Sequence, residues 1–123
     1  MEEMNYEKQK LLISYMLTSA DLFIKANPIL NANFFDPRLK SAVTFIQSYF
    51  ETYKGIPTPI QLFAETDIKI DIIANTLTTQ ELRYAEDTLE KFLQFNTIKE
   101  AIFKSVDLLH NDVRDGIVKI IRD

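Results

Sequence analysis

The sequence predicts an all-α fold: a compact helical head over residues 1–77, then a helical hairpin over residues 78–123 built from one long helix and a short return helix. Three observations carry this. Thirty consecutive residues, Gln80 to Leu109, contain no Gly or Pro and are rich in strong helix formers. The whole chain of 123 residues has only two Gly and four Pro. Dense Val/Ile/Thr runs of the kind that build sheets are few.

Taken in order, residues 6–18 (YEKQKLLISYMLT) form the first helix, with Leu11, Leu12, Tyr15 and Met16 on a shared face. Ser19-Ala20-Asp21 ends it and caps a short second helix, Leu22 to Ala26. Asn27-Pro28 breaks the pattern, because a residue before proline avoids the α region. Ile29 and Leu30 are expected to plug the core from the loop that follows.

Asp36-Pro37 reads as an N-cap and first helical residue. It opens a central helix whose Leu39, Ala42, Val43, Phe45, Ile46, Tyr49, Phe50 and Tyr53 would face inward, nearly all round. Lys54 and Gly55 supply a last-turn cation and a glycine just past the end. Thr58-Pro59 repeats the cap-then-proline device and opens a short helix bearing Ile60, Leu62, Phe63 and Ala64. Ile68-x-Ile70-x-Ile72 alternates like a strand, but a lone strand has no partner. A short helix from Asp71 to Thr76 is expected instead.

The long helix starts at a capping box, Thr78 with Glu81 three residues on. Asp87–Lys91 and Glu100–Lys104 have favourable i,i+4 spacing. Its thirty residues would span ~45 Å, more than a compact domain of this size needs. Leu82, Ala85, Leu89, Phe92 and Leu93 share one face, whereas Phe95, Ile98, Ile102, Val106 and Leu109 share another. At ~100° per residue the centre of the stripe moves by about 140° between the halves. One core cannot bury both, unless the helix kinks near Asn96-Thr97. The first half is therefore expected to pack on the head and the second to meet something else. His110-Asn111-Asp112 reads as a turn and cap, and Val113 to Arg122 as the return helix, weakened at Gly116 by about 1 kcal/mol relative to Ala. Asp123 follows with no stop signal, so a longer parent protein is expected.

Net charge is −4. Residues 1–62 carry six basic and six acidic side chains, and residues 63–123 carry eight and twelve. The acidic half is the one with the long helix, which argues against this chain gripping a phosphate backbone by itself. There is no cysteine, hence no disulfide and no thiolate metal site. The charged start MEEMNYEKQK and the lack of a long apolar run predict neither signal peptide nor membrane anchor.

No catalytic, cofactor-binding or metal site is expected. Two distant glycines leave no phosphate-cradling loop. His110 is the lone histidine, read as a solvated dipole partner at a helix end. Glu86, Asp87 and Glu90 form a solvated flank. Arg38 and Lys40 read as surface cations, and Phe45, Tyr49, Phe50 and Tyr53 as core rather than a base-stacking platform. The positive expectation is a self-association surface on the hairpin: Phe95, Ile98, Ile102, Val106 and Leu109 from the long helix, with Ile117, Ile120 and Ile121 from the return.

This order of elements resembles the N-terminal domain of DnaB-type replicative DNA helicases. Phe35, Asp36, Pro37 and Arg38 match the family's F-x-D-P-R segment, and Gly55-Ile56-Pro57 matches its glycine–x–proline connector. Ile60, Leu62, Phe63 and Ala64 match the helix that follows. Phe95-Asn96-Thr97-Ile98 looks most like the version in T-even-like bacteriophages, and the chain departs from the family pattern at Leu39, where bacterial members often carry histidine, which weakens a bacterial assignment more than a phage one. Residues 65–77 depart from the bacterial pattern. The resemblance implies a non-catalytic collar of a hexameric helicase, pairing with itself through the hairpin and meeting primase or a helicase loader. ATP and Mg would belong to a motor domain lying downstream, and the location would be the cytoplasm of a phage-infected bacterium. Two other readings stand beside it, a free-standing phage mimic or regulator of a replicative helicase, and the helicase-binding domain of a primase.

Overall fold

The computed structural model describes residues 4–72 and 75–122, with side chains described as far as Val106. Among the described residues every regular element is helical. The α-helices are α1 (Tyr6–Thr18), α2 (Ala20–Ala26), α3 (Lys40–Tyr53), α4 (Pro59–Thr66) and α5 (Thr79–Arg122), with short 3-10 turns at Asn27–Ile29 and Ala32–Phe34. The chain falls into two compact units, residues 1–93 and 94–123, so the division lies inside α5.

Local chemistry sets most boundaries of the first unit. Ser19 ends α1 with its backbone N–H on the Tyr15 carbonyl, and its hydroxyl accepts the Leu22 N–H that opens α2. Thr58 and Gln61 form a reciprocal capping box at α4, each side chain taking the other's backbone N–H at 3.1 and 2.8 Å. Thr78 and Glu81 do the same at the start of α5, at 3.1 and 3.0 Å.

The core gathers Leu12, Ile13, Met16 and Leu17 of α1, Leu22, Phe23 and Ala26 of α2, and Ala42, Val43 and Ile46 of α3. Leu30, Phe35, Leu39, Leu62 and Ile70 join from loops and α4, and Ala85, Leu89, Phe92 and Leu93 from the first half of α5. Edge-on and tilted ring pairs, Phe23–Phe50 at 5.2 Å and Phe35–Phe92 at 4.9 Å, stitch it together. Gln9, 7% exposed, ties the chain start to the α3 entry: its amide donates to the Met4 carbonyl and accepts the Asp36 N–H.

Several expectations are corrected. Asp36 does not cap α3. Its carboxylate takes the Arg38 N–H and its carbonyl takes the Leu39 N–H, so Asp36–Leu39 closes a separate turn and α3 starts one turn later, at Lys40. Leu30 is buried, but the 3-10 turn sends Ile29 outward, 52% exposed. On α3 only Ala42, Val43 and Ile46 are fully buried, and Tyr53 is 68% exposed. Half-buried Phe45 and Phe50 do pack against the core, while Phe45, Tyr49 and Tyr53 also stack on one another at i,i+4 spacing, with ring centroids 5.9 and 4.7 Å apart.

The helix expected from Asp71 to Thr76 is absent where described: Asp71 and Ile72 have no regular structure and Asn75 and Thr76 lie in a bend, while residues 73 and 74 lie outside the described residues. Burial there alternates instead, with Ile70 buried between exposed Lys69 and Asp71. The return helix is not seen either. The backbone of α5 runs on through His110-Asn111-Asp112 to Arg122 as one helix. No proline interrupts that stretch, and Asn and Asp cost only a few tenths of a kcal/mol more than average inside a helix.

The left-handed residue ending α3 is Lys54, at φ 61°, and Gly55 has no positive φ. Lys54→Gly is therefore expected to stabilise the fold, by ~0.5–1 kcal/mol. Gly55→Ala is expected to be tolerated, since an added Cβ meets nothing within 4 Å. Chemical denaturation of both variants checks the assignment. Equal destabilisation by the two would contradict it.

Candidate self-association surface

The second unit is the helical stretch from Gln94 onward, and its chemistry is set by what it leaves uncovered. Ile98 is 58% exposed, Ile102 56% and Val106 44%, at i, i+4 and i+8 on one face, with half-buried Phe95 at its start. Side chains of Leu109, Ile117, Ile120 and Ile121 lie outside those described, although their backbone is helical. Three large apolar side chains in register exceed the scattered exposure ordinary on a monomer.

Sequence reasoning missed Phe103, which is 58% exposed beside Ile102. It sits one residue off the stripe, and the signal for it is Lys99 four residues earlier, whose ammonium lies over the ring at 5.9 Å. Glu100 and Lys104 pair at 2.9 Å with the expected spacing, whereas no Asp87–Lys91 ion pair occurs among the described residues. The flanks of the stripe are thus charged and the stripe itself apolar, a pattern suited to helix-on-helix burial.

The other candidate residues resolve into structural roles. The Arg38 guanidinium grips both carboxylate oxygens of Asp36, at 2.9 and 3.0 Å, and lies 3.8 Å from the centre of the Tyr6 ring. These contacts engage it within the chain although its side chain stays 64% exposed. Glu86 meets Lys25 at 3.5 Å. Among the described residues no three His, Cys, Asp or Glu side chains are grouped to hold a metal ion. No described helix is long and apolar enough to cross a membrane.

The side-chain and backbone hydrogen bonds from Arg38 hold the Asp36 carboxyl down at about 2. Because this folded-state value lies below the ordinary 3.8, the contribution to stability is complete above that pH and disappears as pH falls toward 2. Asp36→Asn is accordingly expected to melt below wild type at neutral pH, with the gap closing between pH 4 and 2. Melting curves across that range decide it; a gap unchanged at pH 2 would contradict the linkage.

Compared with known proteins, the chain matches no family model, no curated protein and no solved structure.

Proposed function

We propose that this chain is a non-catalytic collar domain of a hexameric replicative DNA helicase of the phage, DnaB-like kind, working in the cytoplasm of the infected bacterium. Its task is subunit pairing, and through that tier it meets primase or a helicase loader during replication. The observation carrying the reading is the row of exposed Ile98, Ile102 and Val106 on α5, an apolar face beyond the part that serves the core. The order of elements and the FFDPR and Gly55-Ile56-Pro57 segments support it by resemblance. ATP and Mg belong to the motor domain of the parent protein in this reading.

The purified chain is expected to hydrolyse no ATP and to bind single-stranded DNA weakly or not at all, since its net charge is −4. Submicromolar binding of a short oligonucleotide near ~150 mM salt would overturn the second expectation. For the collar role itself, the test is titration with the primase of the same replication system, monitored by calorimetry. Saturable binding supports the role, and no heat at high concentrations of both proteins counts against it.

A further inference from the structure

Between α4 and α5 runs a segment whose backbone is left largely without partners. From Asp67 to Ile72 exposure alternates residue by residue, with Asp67, Lys69 and Asp71 outward and Ile68, Ile70 and Ile72 against the core. A period of two is that of an extended strand. Yet among the described residues no backbone–backbone hydrogen bond engages residues 68–72. Two side chains meet this main chain: the Thr66 hydroxyl accepts the Ile68 N–H, and the Ser14 hydroxyl donates to the Asp71 carbonyl. Ile70 is the sharpest case. It is 3% exposed, and neither its N–H nor its carbonyl is paired among the described residues, although buried peptide groups ordinarily are.

The segment has one edge to offer. Successive residues of an extended chain turn their N–H and C=O to opposite edges. The Asp71 carbonyl points to Ser14 of α1, so the peptide groups of Ile70 and Ile72 point the other way. A groove of about 440 Å³ adjoins the segment, lined by residues 69–72 and by Pro59, Ile60 and Phe63 of α4. Ile60 is 81% exposed and Phe63 48%, so this wall of the groove is apolar surface that the core does not use. We propose that the groove takes an extended peptide segment of another protein, added as a second strand beside residues 68–72. Its backbone pairs with the open edge, and its apolar side chains, at alternate positions, cover Ile60 and Phe63. Charge fixes the residues between them. Lys69 and Asp71 are exposed and have no ion-pair partner among the described residues, so the added strand carries an acid beside the first and a base beside the second. A second copy of this chain does not suit the groove, because each copy's own α4 stands along the edge to be paired. The site depends neither on the α5 stripe nor on the helicase reading.

The test is binding of short capped, dye-labelled synthetic peptides to the whole chain, followed by fluorescence anisotropy. The panel has valine, isoleucine or phenylalanine at alternate positions, with lysine and glutamate between them in both orders. At least one member is expected to bind saturably below about 1 mM, and N-methylation of its alternate amides to weaken it roughly tenfold, since that removes donors without touching side chains. Ile60→Asp is expected to weaken binding by about tenfold and Lys69→Glu by roughly threefold. Both sites are exposed, so circular dichroism should show unaltered folding. No binding by any member up to the top concentration overturns the inference. Binding indifferent to N-methylation overturns it as well, because an apolar surface alone would give that result. If an Ile102→Asp chain still self-associates and the peptide dissolves that association, the occupant is a second copy and the inference fails.

Discussion

Ile102→Asp is expected to weaken self-association through α5 by roughly a hundredfold, about 3 kcal/mol, with the head left folded. Ile102 is the middle residue of the stripe, between Ile98 and Val106 and beside Phe103, all of them exposed in the single chain. In the monomer the new carboxylate sits in water and costs little. In a helix-on-helix contact it is surrounded by apolar side chains without a partner, and the penalty falls on the associated state alone. Sedimentation or light scattering reads the change, with circular dichroism to show that α5 is still helical. A folded variant that associates like wild type would remove the stripe from the contact.

Phe23→Ala is expected to cost ~3–5 kcal/mol of stability. Phe23 is completely buried and meets Phe50 edge-on at 5.2 Å, so truncation removes a large apolar surface and one ring pair while leaving a cavity between α2 and α3. Against a total of about 5–15 kcal/mol, that is a large share. For a unit of this size, melting should fall by more than ~12 °C. Ile60→Ala, at a site 81% exposed, is expected to change stability by less than ~0.5 kcal/mol. Thermal unfolding of the two side by side measures the contrast, and a loss under about 1 kcal/mol for Phe23→Ala would contradict the assigned core.

What could be read from the sequence was what depends on near neighbours. The box at Thr78–Glu81, the cap at Thr58–Pro59 and the double use of Ser19 are all decided within three or four residues. The faces of α5 were legible too: Ala85, Leu89, Phe92 and Leu93 enter the core and Ile98, Ile102 and Val106 do not. Where a second interaction competed, the local signal misled. Asp36 has the right neighbour for a cap, but Arg38 supplies a backbone N–H and a guanidinium two residues on, and the turn takes the carboxylate. Lys54 takes the left-handed position in place of Gly55, although a glycine there would carry no steric penalty.

The weakest stretches were those whose conformation is fixed from afar. Ile70 is held in the core and the Asp71 carbonyl accepts the Ser14 hydroxyl at 2.9 Å, a contact spanning 57 residues that no local pattern announces. His110-Asn111-Asp112 has the composition of a turn yet continues the helix, because nothing in it forbids one. Of the residues expected at the self-association surface, Leu109, Ile117, Ile120 and Ile121 lie beyond the described side chains, and Phe103 enters from outside the stripe.

We propose that the exposed face of α5, with Ile98, Ile102 and Val106, is covered by another copy of the chain. Sedimentation equilibrium of the wild-type chain, from micromolar to about 1 mM, addresses it most directly. The expected mass rises with concentration to at least twice that of the 14.3 kDa chain. A monomer across the whole range, with α5 helical by circular dichroism, would contradict it.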